Sequence, residues 1–172
     1  MTKTEWSEAT TRTREHLLRR LRRLGACESA REWAATRTSA EAVWTECERG
    51  DWLLWLAARA GVDRREVVLA ACAVARTALQ YVRAGEERPR IAIETAERWA
   101  RGEASIADVR AAAAATATAT AADAAAAAAY AYAAYAAGAR RASLLSSSAA
   151  LVRERIPWPV VEAALSRAGV TP

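Results

Sequence analysis

The chain has 172 residues, a length that suits one domain with a buried core. Proline and glycine are sparse, at 4 and 7 residues, and phenylalanine is absent, so the composition predicts an all-helical protein and argues against a β-rich one. The net charge of +5 at pH 7 is either a solubilising surface charge or a feature that favours an acidic partner, and it falls short of the arginine tracts of a dedicated nucleic-acid binder.

The first predicted helix runs from about Thr4 to Leu24 and ends at Gly25, which suits a C-terminal cap. Its leucines share one side and its arginines lie mostly on the other, as in an amphipathic helix with a basic outer side. A short helix around Trp33 follows. The segment "TSAE" then predicts a helix that begins with Thr38 as its N-cap, with Glu41 reaching back, and that ends near Gly50.

The next two helices also carry start and stop signals. Asp51 is predicted to cap "DWLLWLAARAG", which Gly61 closes. Asp63 and Glu66 form a capping-box pattern before "REVVLAACAVARTALQYVRAG". This segment is apolar nearly all round in its first half, so we expect it to be the central core helix, with Cys72 acting as a small core hydrophobe.

The second half of the chain begins with a proline-started helix. Pro89 suits the first turn of "PRIAIETAERWARG", and Gly102 is predicted to end it. Ser105 and Asp108 then predict the start of an alanine-rich helix that would continue from Ile106 to Ala137, or about 45 Å at 1.5 Å per residue.

Two further helices are predicted, one over about 139–155 and one opened by Pro159. The fold class is therefore all-α: a single-domain bundle of about seven to nine helices over residues 1–172. We expect a tryptophan- and arginine-rich core half over 1–104 and an alanine-rich half over 105–172 that forms a long helical hairpin. The larger side chains of the first half are expected to supply most of the burial energy.

The sequence offers few groups for catalysis. His16 is the single histidine and is expected on the surface, the three cysteines form no CxxC pair, and no phosphate-binding glycine loop occurs. We therefore expect no enzyme activity, no metal and no cofactor. The cysteine usage and an N-terminus without signal-peptide features predict a cytoplasmic protein, and Asp123 within the alanine stretch argues against a membrane span.

The turn "ECERGDWLLWLAAR" combines charge with aromatic residues. Trp52 and Trp55 are spaced i, i+3 just after the turn. They are either core residues beside a capped turn, or an aromatic floor beside a charged rim that binds a partner or a planar ligand. The charged residues of the turn are Glu46, Glu48, Arg49 and Asp51.

Arg76 interrupts an otherwise apolar helix, and a buried arginine must be paired. Glu94 and Glu97 are candidate partners. The i, i+4 spacing of opposite charges in "RPRIAIETAERWAR" is also typical of a solvated face. Structural pairing and a polar cleft lined by Arg76, Arg90 and Glu94 are therefore the two interpretations.

Asp123 is the one acid in the alanine stretch, and Thr116, Thr120 and Tyr130 fall on its side of the predicted helix. These four residues are either a solvent-facing stripe or part of a contact with the first half. In the second case Asp123 accepts a hydrogen bond from Arg76 or Arg90, which locks the alanine helix onto the core or forms one wall of a binding cleft.

Over roughly residues 20–165, including "TECERGDWLLWLAARAG", "ERPRIAIETAERWARGEAS" and "RIPWPVVEAAL", the sequence resembles the all-helical immunity proteins of bacterial polymorphic-toxin systems. Similar sequences are also carried by phages. The resemblance implies a non-catalytic binder that inhibits a toxin. The positions that match its motifs are Glu46, Gly50, Asp51 and Trp52 in the turn, and Arg88, Pro89, Arg90, Glu94, Glu97 and Trp99 in the later segment.

We therefore predict a binding protein, with an inhibitor of the immunity or counter-defence type, acting on a toxin or defence component, as the leading hypothesis. A phage-type protein that sequesters a small anionic nucleotide in an arginine- and tryptophan-lined cleft is the rival. A homo-oligomer packed through alanine-rich helices is a third possibility, and membrane or nucleic-acid partners are not favoured. The candidate binding residues are Glu46, Arg49, Asp51, Trp52, Trp55, Arg76, Arg88, Arg90, Glu94, Glu97, Trp99 and Asp123.

Overall fold

The computed structural model describes residue 15 and residues 17–115 and 138–167, with the backbone alone for 138–145. This part of the chain contains nine helices and no strand, and 78% of it is helical, which confirms the all-α class and the expected number of helices. His16, Asp123 and most of the alanine stretch lie outside the described residues, as do the predictions made for them.

The helices follow one another with short connections. The described part of α1 covers 17–24, followed by α2 (Glu28–Ala35), α3 (Ala40–Glu46), α4 (Gly50–Ala60) and α5 (Arg64–Arg76). A 3-10 turn (Leu79–Tyr81) leads to α6 (Arg88–Arg101), and the described part of α7 covers 106–115. The last two helices are α8 (Gly138–Arg155) and α9 (Trp158–Arg167).

Several predicted helix ends are correct. The helices α1, α4 and α6 end at glycines with positive φ, namely Gly25, Gly61 and Gly102. At the start of α7, the Ser105 amide donates to Asp108 Oδ2 at 2.8 Å, and the Asp108 amide donates to Ser105 Oγ at 3.2 Å. This reciprocal pair satisfies amide groups that the first turn of a helix leaves without partners.

Two predicted N-caps are wrong. The cap of α3 is Ser39 instead of Thr38, because Ser39 Oγ accepts from the Ala42 amide at 3.0 Å. Asp51 does not cap α4: Arg49 occupies the N-cap position and Asp51 lies in the first turn, where it pairs with Arg49. The start of α4 is thus two residues earlier than its acidic side chain indicates.

The centre of the core is α4, not α5 as the apolar pattern predicted. The buried residues of α4 include Leu53 and Leu56, whereas those of α5 are Ala70 and Cys72, and Cys72 packs as the expected small hydrophobe. The C-terminal part contributes more than expected, because its largest core side chains are fully buried: Val152 of α8, Val161 of α9, and Ile156 between the two helices. The helix α8 packs against α4 and α5, and α9 packs against α3 and α4.

The start of α4 lies in close contact with α8. Gly50 is buried, and a Cβ added there would lie 2.8 Å from the carbonyl carbon of Ser148 and 2.9 Å from the amide nitrogen of Ala149. One turn further along α8, Arg153 Nη1 donates a hydrogen bond of 2.6 Å to the carbonyl of Cys47. These contacts hold the connection between α3 and α4 in place, which fixes the candidate site beside it.

Candidate binding site

A cavity of about 290 Å³ lies between the end of α1 and helices α2, α3 and α4; we call it the tryptophan cavity. Its floor is formed by buried side chains and its opening by residues exposed to solvent. Three tryptophans with intermediate exposure stand between floor and opening. The lining residues are Leu21, Gly25, Ala26, Cys27, Ala30, Trp33, Ala34, Val43, Cys47, Asp51, Trp52, Leu53, Trp55 and Leu56.

Two of these tryptophans contact each other across the cavity wall. The ring centroids of Trp33 and Trp52 are 6.2 Å apart with an interplanar angle of 61°, an edge-to-face arrangement that aromatic pairs favour. Arg37 Cζ lies 4.7 Å from the Trp33 centroid, and Arg49 Cζ lies 4.5 Å from the Trp52 centroid. A guanidinium group of the protein therefore already lies over each of these two rings.

Each of these arginines also pairs with an acid, and we call the two pairs the rim ion pairs. Arg37 Nη1 lies 2.5 Å from Glu46 Oε2. Arg49 holds Asp51 through two hydrogen bonds, from Nε to Oδ1 at 2.8 Å and from Nη2 to Oδ2 at 2.6 Å. The hydrogen bond from Arg49 is the main cause that lowers the pKa of Asp51, so this carboxylate is charged at neutral pH.

The two thiols that line the cavity differ in environment. Cys27 is exposed at the N-cap of α2, and its pKa is lowered, mainly by the contact of its Sγ with Ser29 Oγ at 3.4 Å. Cys47 is buried, and burial raises the pKa of its thiol. Within the described residues, no group of three or more histidine, cysteine or acidic side chains is arranged to hold a metal ion.

Of the two interpretations of Arg76, the structure shows the pairing with an acid on α6 and not a polar cleft. Arg76 is not buried, because 43% of its side chain is exposed, and it pairs with Glu97 through two hydrogen bonds of 2.7 Å. Arg90 pairs with Glu87 and lies 3.8 Å from Glu94. These arginines have acidic partners of their own, and none of these residues lines the tryptophan cavity.

The remaining motif residues of this region make local contacts on the surface. Arg88 pairs with Glu86, and the hydrogen bonds that Arg88 donates lower the pKa of Glu86 to about 2. Arg64 Cζ lies 5.6 Å from the ring centroid of Trp99. The turn and the later segment are thus separate features. Of the predicted site residues that the structure describes, only Asp51, Trp52 and Trp55 line the cavity, with Glu46 and Arg49 beside them.

Trp33 and Arg37 were not predicted as site residues, although Trp33 lines the cavity and Arg37 lies over its ring. They are four residues apart on and just after α2, a spacing that brings an arginine over a preceding aromatic ring. That spacing was the available signal. It could not show that Trp33 meets Trp52, because this contact depends on how α2 packs against α4.

In the part of the chain that the structure describes, no helix combines the length and the apolar character that crossing a membrane requires. Comparison of the chain with protein-family models, with curated proteins and with solved structures gives no match. The resemblance to the immunity proteins therefore stays a prediction, and the function has to be argued from the tryptophan cavity.

Proposed function

We propose that the chain is a non-catalytic binding protein of the inhibitor type, which neutralises a toxin or defence component by holding one of its side chains in the tryptophan cavity. The observation that carries this proposal is the cavity itself. It has a buried aliphatic floor, three tryptophans and a rim of paired charges. Tight protein interfaces use the same arrangement, with an apolar pocket for one anchor side chain and a polar rim around it.

The charges favour a protein partner over an anionic nucleotide. The nucleotide hypothesis needs arginines that are available to phosphate groups, and Arg76 and Arg90 are instead paired with Glu97 and Glu87. The charged side chain that lines the cavity is a carboxylate, Asp51, which would repel a phosphate. The homo-oligomer hypothesis concerns mostly residues outside the described part, and it stays a prediction.

The proposal is tested by filling the cavity. Ala30 lines it from α2 with an intermediate exposure, so Ala30→Leu adds three carbon atoms inside the cavity without changing a buried contact. Ala58 is an exposed residue of α4 that does not line the cavity, so Ala58→Leu is the matched control. Peptides are selected from a random display library on the wild-type chain, and their affinities for both variants are measured.

We expect selected peptides to carry an aromatic or aliphatic anchor and to bind Ala30→Leu about tenfold more weakly or worse, because loss of one anchor residue removes roughly 1.4 kcal/mol or more. Binding to Ala58→Leu should be unchanged. In bacteria, the inhibitor role predicts that a toxic protein encoded next to this gene is neutralised by the wild type and by Ala58→Leu, and not by Ala30→Leu. Equal rescue or equal peptide binding by all three proteins would contradict the proposal.

A further inference from the structure

We propose that the anchor in the tryptophan cavity is an apolar side chain with a cation beside it: an aromatic or branched aliphatic residue of the partner protein followed by lysine or arginine. This inference rests on the proposed function, since it names the chemistry of the group that the same cavity takes. It assigns the apolar part to the floor and the three tryptophans, and the cation to Asp51 and the Trp52 ring.

The lining of the cavity carries one negative charge. Asp51 is the single charged side chain among the described residues that line the cavity, and no lysine or arginine is among them. A carboxylate offers about four acceptor sites, and Arg49 uses one on each oxygen. The backbone amides of Asp51 and Trp52 also interact with this carboxylate, but its side chain is 52% exposed, so part of it faces solvent at the opening. An incoming cation finds an acceptor there, whereas an anion finds no positively charged donor among the lining residues.

The protein itself already places cations over two aromatic rings at the cavity. The guanidinium of Arg49 lies over Trp52 while it holds Asp51, so it occupies the place that a partner's cation would take. Arg37 makes the equivalent contact with Trp33. Since Arg49 does not itself line the cavity, it competes with the partner's cation for Asp51 and for the ring without closing the opening.

The size of the cavity suits a single anchor side chain. Its volume of about 290 Å³ is close to the lower limit for small-molecule sites, which is roughly 300 Å³. One aromatic ring or one branched aliphatic side chain fits within such a space. The cation then lies at the opening, where Asp51 and the rim ion pairs are exposed to solvent.

The competition with Arg49 gives an unusual prediction. In Arg49→Gln, Asp51 loses its internal partner, so a cationic ligand should bind several-fold more tightly while a neutral one is unaffected. In Asp51→Asn, the affinity for the cationic ligand should fall to the affinity for the neutral one. Arg76→Gln is the matched control, because Arg76 holds Glu97 through the same pair of hydrogen bonds away from the cavity.

The probes are three dipeptides that differ only in charge: acetyl-Phe-Lys-amide, acetyl-Phe-Gln-amide and acetyl-Phe-Glu-amide. Binding to the full chain is measured by NMR from the indole N–H signals of Trp33 and Trp52. We expect the lysine dipeptide to bind roughly tenfold more tightly than the glutamine dipeptide, from one exposed ion pair and one cation–π contact. The glutamate dipeptide should bind most weakly.

The outcomes separate this inference from the proposed function. If the three dipeptides bind equally and Ala30→Leu abolishes all three, the cavity is the binding site and the preference for a cation is wrong. If the glutamate dipeptide binds the wild type more tightly than the lysine dipeptide does, the cavity selects anions and the inference is overturned. If Arg49→Gln weakens binding of the lysine dipeptide, Arg49 supports the site instead of competing with the cation, and the inference is overturned as well. If no dipeptide shifts the Trp33 and Trp52 signals, both proposals fail.

Discussion

Replacing Gly50 by alanine tests the contact between α4 and α8 that holds the candidate site in place. The added Cβ would lie 2.5 Å from Ser148 Oγ, 2.8 Å from the Ser148 carbonyl carbon and 2.9 Å from the Ala149 amide nitrogen. Comfortable contacts between carbon atoms are about 3.5–4.0 Å. The serine hydroxyl can rotate away, but the two backbone contacts are relieved only if α8 moves away from α4 by several tenths of an ångström.

The expected cost is that of overpacking a core, roughly 1–3 kcal/mol. Alanine is a better helix former than glycine by up to about 1 kcal/mol, and this gain is smaller in the first turn, so it offsets only part of the cost. For a chain of this length, each kcal/mol lowers Tm by about 2–4 °C. We therefore expect Gly50→Ala to lower Tm by roughly 2–10 °C.

The assay is thermal and urea unfolding followed by circular dichroism at 222 nm. The double variant Gly50→Ala/Ser148→Ala is the control, because it removes the hydroxyl contact and leaves both backbone contacts in place. It should remain less stable than Ser148→Ala alone. A Gly50→Ala protein as stable as the wild type, or a full rescue by Ser148→Ala, would show that the close backbone approach is not the constraint.

Three further predictions concern single groups. Arg153→Met should lower the free energy of unfolding by about 1–3 kcal/mol in urea titrations, because it leaves the Cys47 carbonyl without its donor. The hydrogen bonds from Arg76 lower the pKa of Glu97, so the stabilisation that they give is present above the ordinary carboxyl pKa of 4.5 and is lost as pH falls through the lower, folded-state pKa. Tm of the wild type should therefore fall more on acidification than Tm of Glu97→Gln. Parallel curves of Tm against pH for the two proteins would contradict this. Iodoacetamide should label Cys27 well before Cys47, because Cys27 is exposed with a lowered thiol pKa whereas Cys47 is buried with a raised thiol pKa. Mass spectrometry of tryptic peptides would measure the labelling of each cysteine over time.

Several helix ends were predictable because their signals are local, but α3 ends at Glu46 and not near Gly50, and α5 ends at Arg76 although its predicted segment continued to Gly85. A glycine at the end of a helix, as at Gly61, adopts the positive φ that other residues avoid, and the Ser105–Asp108 pair needs only neighbours three residues apart. The choice between Thr38 and Ser39 was not predictable, because both can cap a helix and the register is fixed by packing of the α3 side chains.

The candidate site was predictable in part for the same reason. Trp52 and Trp55 lie beside the charged turn in the sequence, so their proximity to Asp51 follows from helical spacing. The contribution of Trp33 depends on the packing of α2 against α4, which no local pattern encodes. The expected burial of Arg76 was wrong because an apolar pattern on all sides of α5 does not show which side the other helices cover.

The burial of Val152, Ile156 and Val161 beside Trp44 and Leu53 has a consequence for how the protein is made. The helices α3 and α4 leave the ribosome before α8 and α9, whose side chains cover their core residues. Until α9 has emerged, the nascent chain keeps Trp44 and Leu53 without these partners and presents them to chaperones. The core around Trp44 and Leu53 therefore closes only after α9 has been synthesised, and a premature stop codon after α7 leaves an aggregation-prone fragment.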